Sequence, residues 1–152
     1  MQTDESAVVR LARELQDHEG RIFDRMKPAT AIGPWYVDKL KEDVATHGGA
    51  ILVAECDGAV VGYATLLARV TSAEESDEVL YTYAYVSDLA VNVAHRRKGI
   101  GRMLLEACER MARDAGQTWL RLGVLAGNHS ARSFYAEFGL EDSFLTLEKR
   151  LA

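Results

Sequence analysis

The strongest chemical signal in the chain is Arg96-Arg97-Lys98-Gly99-Ile100-Gly101. This stretch follows an apolar run, Val86-Ser87-Asp88-Leu89-Ala90-Val91, that reads as a strand. It opens into Arg102-Met103-Leu104-Leu105-Glu106-Ala107-Cys108, which reads as an amphipathic helix. A strand, a basic glycine turn and a helix start together suggest anion binding. The first N–H groups of a helix have no intrahelical partner, and the helix dipole favours negative charge beside them. Gly99 and Gly101 lack the β-carbons that would hold a diphosphate away from those N–H groups.

Other side chains narrow the chemistry. The net charge is −5, from 18 Lys and Arg against 23 Asp and Glu, which argues against a nucleic-acid binder. The charges are segregated. His95, Arg96, Arg97, Lys98 and Arg102 cluster at the turn, while Glu74, Glu75, Asp77 and Glu78 cluster in a loop. A basic spot on an acidic chain suits a small anionic ligand, although a cluster of charge alone also fits a solvated face. Asp17, Glu19, Asp24, Glu42 and Asp43 are acids able to attract a cation. His18, His47, His95 and His129 have no metal-binding spacing, so no metal is expected. Cys56 and Cys108 lie in apolar segments and read as reduced thiols, which suggests the cytoplasm. The acidic start does not resemble a signal peptide, and no run suits a bilayer, so no membrane partner is expected.

The elements that position these residues follow from periodicity. Val8, Leu11, Ala12 and Leu15 predict a first helix, with the pattern running through Ile22 and Met26 to Pro28. A second helix is predicted over Trp35–Thr46, stopped by Gly48-Gly49. Ile51–Cys56 and Val60–Leu67 read as strands joined by the Asp57-Gly58 hairpin signal. Val79–Val93 reads as a long strand with room for a bulge, and its Tyr81, Tyr83 and Tyr85 alternate onto one face. The next helix shows an apolar stripe of Ile100, Met103, Leu104, Ala107, Cys108, Met111 and Ala115. Trp119–Leu125 reads as a strand. Asn128 or Ser130 can cap a helix carrying Ala131, Phe134, Tyr135 and Phe138, and Phe144–Arg150 alternates as a closing strand. The whole predicts an α/β mixed sheet with helices on both faces, in a single domain over residues 1–152.

A second motif accompanies the first: Asn128-His129-Ser130-Ala131-Arg132-Ser133-Phe134-Tyr135-Ala136-Glu137-Phe138-Gly139-Leu140. Together the two resemble the general N-acetyltransferase (GNAT) superfamily, over about Ile51 to Leu147. Arg96, Gly99 and Gly101 match its acetyl-CoA signature. Asn128, Ala131, Phe134-Tyr135 and Phe138-Gly139-Leu140 match its second.

The resemblance implies a mostly antiparallel sheet whose central parallel pair splays apart to admit acetyl-CoA, the acyl donor. It implies that the backbone of Leu89, Ala90 and Val91 pairs with the pantetheine arm, and that an N–H near Leu89 polarises the thioester carbonyl. The diphosphate is expected on the N–H groups of Arg97, Lys98, Gly99, Ile100, Gly101 and Arg102. Arg96 and Arg97 side chains are expected to assist, and Asn128 to contact the arm. Tyr135 is then the acid for the departing thiolate. Where many relatives carry a Glu base before the cofactor turn, this chain has Tyr85, Ser87 and Asp88. Asp88 is the available carboxylate there, as a base or as a hydrogen-bonding partner within the fold, and a water chain ending on a backbone carbonyl or on Tyr83 or Tyr85 is a substitute base. The resemblance also implies a first strand, which this chain lacks or keeps very short.

The implied function is acetyl transfer from acetyl-CoA to a primary amine, on a small molecule or a peptide, by direct attack in a ternary complex. A homodimer is the family expectation for the assembly. The alternative is a non-catalytic acyl-CoA-binding module.

Overall fold

The computed structural model describes residues 2–72 and 79–152. The acidic loop at Glu74, Glu75, Asp77 and Glu78 lies outside the described residues. Helix α1 covers Gln2–Gly20 and α2 covers Pro34–His47. Strands β1 (Gly49–Cys56), β2 (Ala59–Thr71) and β3 (Thr82–Val91) follow. Then come α3 (Ile100–Asp114), β4 (Leu120–Leu122) and α4 (His129–Phe138). The sheet order is β1-β2-β3-β4, antiparallel except for the parallel β3–β4 pair. The expected mixed sheet is therefore present.

The helices divide between the faces. Val8, Leu11 and Ala12 of α1 and Val37 and Leu40 of α2 bury against Tyr63 and Ala90. Leu104, Leu105, Cys108 and Ala112 of α3 bury against Ala64, Leu66, Ala84 and Val86 on the other face, where Phe134, Tyr135 and Phe138 of α4 join them. The turn into β1 has one sterically forced residue. A β-carbon on Gly49 would sit 1.9 Å from the Leu66 carbonyl oxygen.

Several boundaries differ from the sequence reading. α1 stops at Gly20, a poor helix former, and the N–H groups of Arg21 and Ile22 close the end as tight turns onto His18 and Glu19. The buried face of α3 is rotated from the expected stripe. Met103 is 54% exposed, whereas Leu105 is fully buried. Residues 144–150 form no strand. Phe144 and Leu147 stand 74% and 89% exposed, because alternation gives a segment two faces but no ladder partner.

β3 carries the irregularity that shapes the site. Thr65 pairs with Asp88 and Leu66 with Val86, so Ser87 is an extra, bulged residue. The bulge reverses the alternation. Val86 packs with α3, whereas Asp88 points to the α1–α2 face, where Tyr36 and Tyr63 reach it.

Candidate active site

β3 and β4 pair only over Ala84–Leu120, Tyr85–Arg121 and Val86–Leu122. Beyond Val86 the β4 side of β3 has no described strand beside it. Backbone alternation tells which groups face that opening. Asn92 donates its N–H to Val61 of β2 at 2.7 Å, so Ala90 also faces β2, and Leu89 and Val91 face away. The Val91 carbonyl confirms the direction, since it accepts from Arg96 Nε at 3.2 Å. Of Leu89, Ala90 and Val91, the first and last thus offer backbone groups to a ligand lying in the slot.

The slot runs toward the basic turn. Arg97 and Gly99 both have positive φ, 62° and 81°. Gly99 is the N-cap of α3, and it tolerates the left-handed conformation because it has no β-carbon. Among the described residues no turn or cap hydrogen bond uses the N–H groups of residues 97–102. They form a row of free donors at a helix N-terminus. The side chains around them are unequal. Arg97 and Lys98 are exposed. Arg96 is drawn back onto Val91, and Arg102 pairs with Glu106 at 3.1 Å. Ile100 turns its side chain into the core and leaves only its backbone to a ligand.

Asn128 closes the far side. Its Oδ1 accepts from the Ala131 N–H at 3.3 Å and caps α4, which leaves its Nδ2 hydrogens for a ligand. Phe134 lies 3.6 Å from the position of a β-carbon on Gly101, so α4 and the turn are in contact. Tyr135 packs beside Phe134 with ring centroids 5.4 Å apart. Burial first, and the charge of Glu19 second, push its phenol up to about 12. The hydroxyl therefore stays protonated at neutral pH.

A second group of polar side chains stands on the α1–α2 face of the sheet. Asp88 is 7% exposed, and its Oδ2 accepts from Tyr36 at 2.8 Å and from Tyr63 at 2.5 Å. Burial raises its carboxyl above the ordinary range, against the lowering effect of both hydroxyls. Tyr81, Tyr83 and Tyr85 are half-buried and stack edge-on or tilted. The Arg121 guanidinium lies 4.0 Å above the Tyr83 ring. Glu19, read in the sequence only as one of several acids, is half-buried at the end of α1. Its carboxyl is raised, first by burial and then by Asp88.

A parallel pair whose pairing stops at Val86, free N–H groups at a glycine turn and a half-buried tyrosine on the following helix form one arrangement. The profile of the acetyltransferase (GNAT) family matches residues 12–140. The chain belongs to the GNAT acetyltransferase family.

This GNAT chain is 31% identical over 103 residues to an uncharacterised N-acetyltransferase encoded in the pepI 3′ region of Lactobacillus delbrueckii subsp. lactis. The match covers 68% of the chain and 58% of that protein. It is 33% identical over 103 residues to the uncharacterised N-acetyltransferase YhfO of Bacillus subtilis (strain 168), covering 68% of the chain and 66% of that protein. The matched region thus spans less than two thirds of each relative's length. In fold it resembles a mutant of the BH1408 protein of Bacillus halodurans, with a TM-score of 0.83 at 22% identity over 95% of this chain and 92% of that one. Among the described residues no strand precedes α1. No group of three potential metal-ligating side chains occurs among the described residues, and no described helix is long and apolar enough to cross a membrane.

Proposed function

We propose that this chain transfers an acetyl group from acetyl-CoA to a primary amine by direct attack in a ternary complex. The observation that carries the reading is the parting of β3 from β4 after Val86. It leaves the outward backbone of Leu89 and Val91 at the head of a slot that leads to the free N–H groups of residues 97–102. A pantetheine arm pairs there as an added strand would, and its diphosphate lies on the α3 N-terminus, with Arg97 and Lys98 adding charge. Arg96 acts through the Val91 carbonyl it holds. The acyl-CoA supplies the activated thioester, and the protein's groups do the rest.

In this reading the Leu89 N–H donates to the thioester oxygen as negative charge builds there. Asn128 Nδ2 steadies the arm. Asp88 holds negative charge on the acceptor side. Tyr135 protonates the departing thiolate. A phenol at about 12 is a weak acid for a thiol of ordinary acidity. Burial also raises thiols, however, as it raises Cys108 to about 11, so a desolvated thiolate beside Tyr135 is a matched base. The acceptor amine belongs to a small molecule or a peptide. The proposed setting is the cytoplasm, in keeping with the free thiols of Cys56 and Cys108.

The test is thiol release from acetyl-CoA across a panel of amines. Amine-dependent release supports the reading. Tight acetyl-CoA binding with no release on any amine replaces it with the other reading, a non-catalytic acyl-CoA-binding module.

A further inference from the structure

We propose that Glu19 is the base on the acceptor side and that it makes the site selective for amines carrying more than one positive charge. The proposal rests on the acetyl-transfer reading above. The first support is position. Val8, Leu11, Ala12 and Leu15 form the sheet-facing row of α1, and Glu19 is the next residue of that row, four beyond Leu15. A carboxylate thus stands where the helix has so far presented only apolar side chains. The end of α1 also lies over the loop entering α4. A β-carbon on Gly127 would fall 2.9 Å from Ile22 Cγ2, one residue before Asn128. The row therefore ends at the mouth of the site.

The surroundings of Glu19 are rich in acceptors and poor in cations. The titratable groups with which it interacts electrostatically are Asp88 from β3, Tyr63 from β2, Tyr36 from α2 and Tyr135 from α4. Lys39 of α2 acts on Asp88 but is itself paired with Asp43 at 2.9 Å. Two buried hydroxyls flank Asp88 without a partner, Oγ1 of Thr65 and Oγ of Ser87. Thr65 is fully buried and stands directly across the β2–β3 ladder from Asp88. Both are closed to solvent, so the contact surface for a cation is the carboxylates and tyrosine oxygens beside them. An ammonium, with three donors and no acceptor, matches such oxygens.

Asp88 is the less accessible carboxylate, since it is 7% exposed and its Oδ2 accepts from two tyrosines, whereas Glu19 is only half-buried. Glu19 has no hydrogen-bonding side chain to give up. Its burial and the nearby Asp88 charge bring its carboxyl closer to neutral pH, which improves the match to proton transfer. The step balances as follows. The Glu19 carboxylate takes one proton from the acceptor ammonium, and the amine nitrogen attacks the thioester carbon. The C–N bond forms and the C–S bond breaks. The thiolate takes the Tyr135 proton, and the phenolate regains one from the new amide nitrogen. Glu19 returns its proton to water. A second ammonium on the acceptor stays charged and is balanced by Asp88. A carboxylate on the acceptor is repelled.

The experiment compares the protein with Glu19→Gln and Glu19→Asp on 1,4-diaminobutane, butylamine and glycine. The parent should prefer the diamine over butylamine by about tenfold or more in kcat/KM, with glycine last. Its rate should fall in acid as Glu19 protonates. Glu19→Gln should lower kcat by about 10²–10⁴-fold, flatten that acid limb and erase the diamine preference. Glu19→Asp should restore part of the limb. Calorimetric acetyl-CoA affinity should match in all three, which reports an intact fold and donor site. A Glu19→Gln protein with the parent's rate, acid limb and preference overturns the assignment while leaving acetyl transfer standing. A parent that binds acetyl-CoA but acetylates none of the amines overturns acetyl transfer and the base role with it. Calorimetric titration of 1,4-diaminobutane into the acetyl-CoA-loaded proteins then decides the ammonium site. Weaker binding by Glu19→Gln supports it, and equal binding overturns it.

Discussion

The Tyr63 hydroxyl donates to Oδ2 of Asp88 at 2.5 Å, a contact that exists because the bulge at Ser87 turns Asp88 away from α3. Without the extra residue, Asp88 would follow Ala84 and Val86 onto the α3 face. The same bulge leaves Leu89 with its N–H facing the slot. One inserted residue therefore sets the burial of Asp88 and the outward N–H of Leu89 together.

Asp88→Asn tests what that buried charge costs. The folded carboxyl is raised above its ordinary value of 3.8. Its favourable contribution to stability is thus complete below that value and is lost as pH rises through the folded one. Asparagine keeps an oxygen for both tyrosines and cannot ionise. The melting temperature of Asp88→Asn relative to the parent should therefore climb as pH rises from about 4 toward 8, by about 2–4 °C per kcal/mol in a chain of this size. Thermal melts showing a constant difference across that range would mean Asp88 ionises in the fold as it does in water.

The bulge also marks where sequence reasoning stops. The turn at Arg96–Gly101 and the cap at Asn128 are legible because their chemistry is local: a left-handed glycine, an N-cap oxygen, free N–H groups. Tyr135 needed the second motif as well, since its spacing alone equally describes a packing residue. The orientation of Asp88 was hidden, because period-two alternation fails at a bulge whose position depends on pairing with Thr65 and Leu66. The influence of Asp88 on the Glu19 carboxyl was hidden too, because it depends on how the end of α1 packs over the sheet. Phe144–Arg150 misled in the opposite sense. Its alternation is clear in the sequence, yet no described strand pairs with it.

Gly101→Asp should weaken acetyl-CoA binding by about 100-fold, or ~2.7 kcal/mol, by setting a carboxylate at the proposed diphosphate site. The fold should tolerate it. A β-carbon at Gly101 meets Phe134 at 3.6 Å and Val91 at 3.8 Å, ordinary contact distances. An acid in the first turn of α3 also suits the helix dipole. Calorimetry on a variant with parent-like melting reads the effect. Unchanged affinity would remove the diphosphate from this turn.

Hydrogen exchange should separate neighbouring residues of one strand. The Ala90 N–H faces β2 and should be protected with or without ligand. Those of Leu89 and Val91 face the slot and should exchange at least about tenfold more slowly once acetyl-CoA is added. Equal protection of Leu89 and Val91 with and without acetyl-CoA would show that the arm does not pair with this strand.

Tyr135→Phe separates an enzyme that uses the phenol from one that uses only its ring. The ring fills its place beside Phe134 with or without the hydroxyl, so folding and acetyl-CoA affinity should barely change. Thiol release at saturating acetyl-CoA, with the best amine found, should fall by about 10²–10⁴-fold if protonation of the thiolate enters the slow step. The basic limb of the pH profile gives a second reading. A phenol raised to about 12 remains protonated across the working range. The parent should therefore show no loss of rate from this group below about pH 10. If the variant keeps the parent's rate, water delivers the proton and Tyr135 serves packing alone. Direct attack on the thioester would survive that result, because the Leu89 N–H and the acceptor amine do not depend on the hydroxyl.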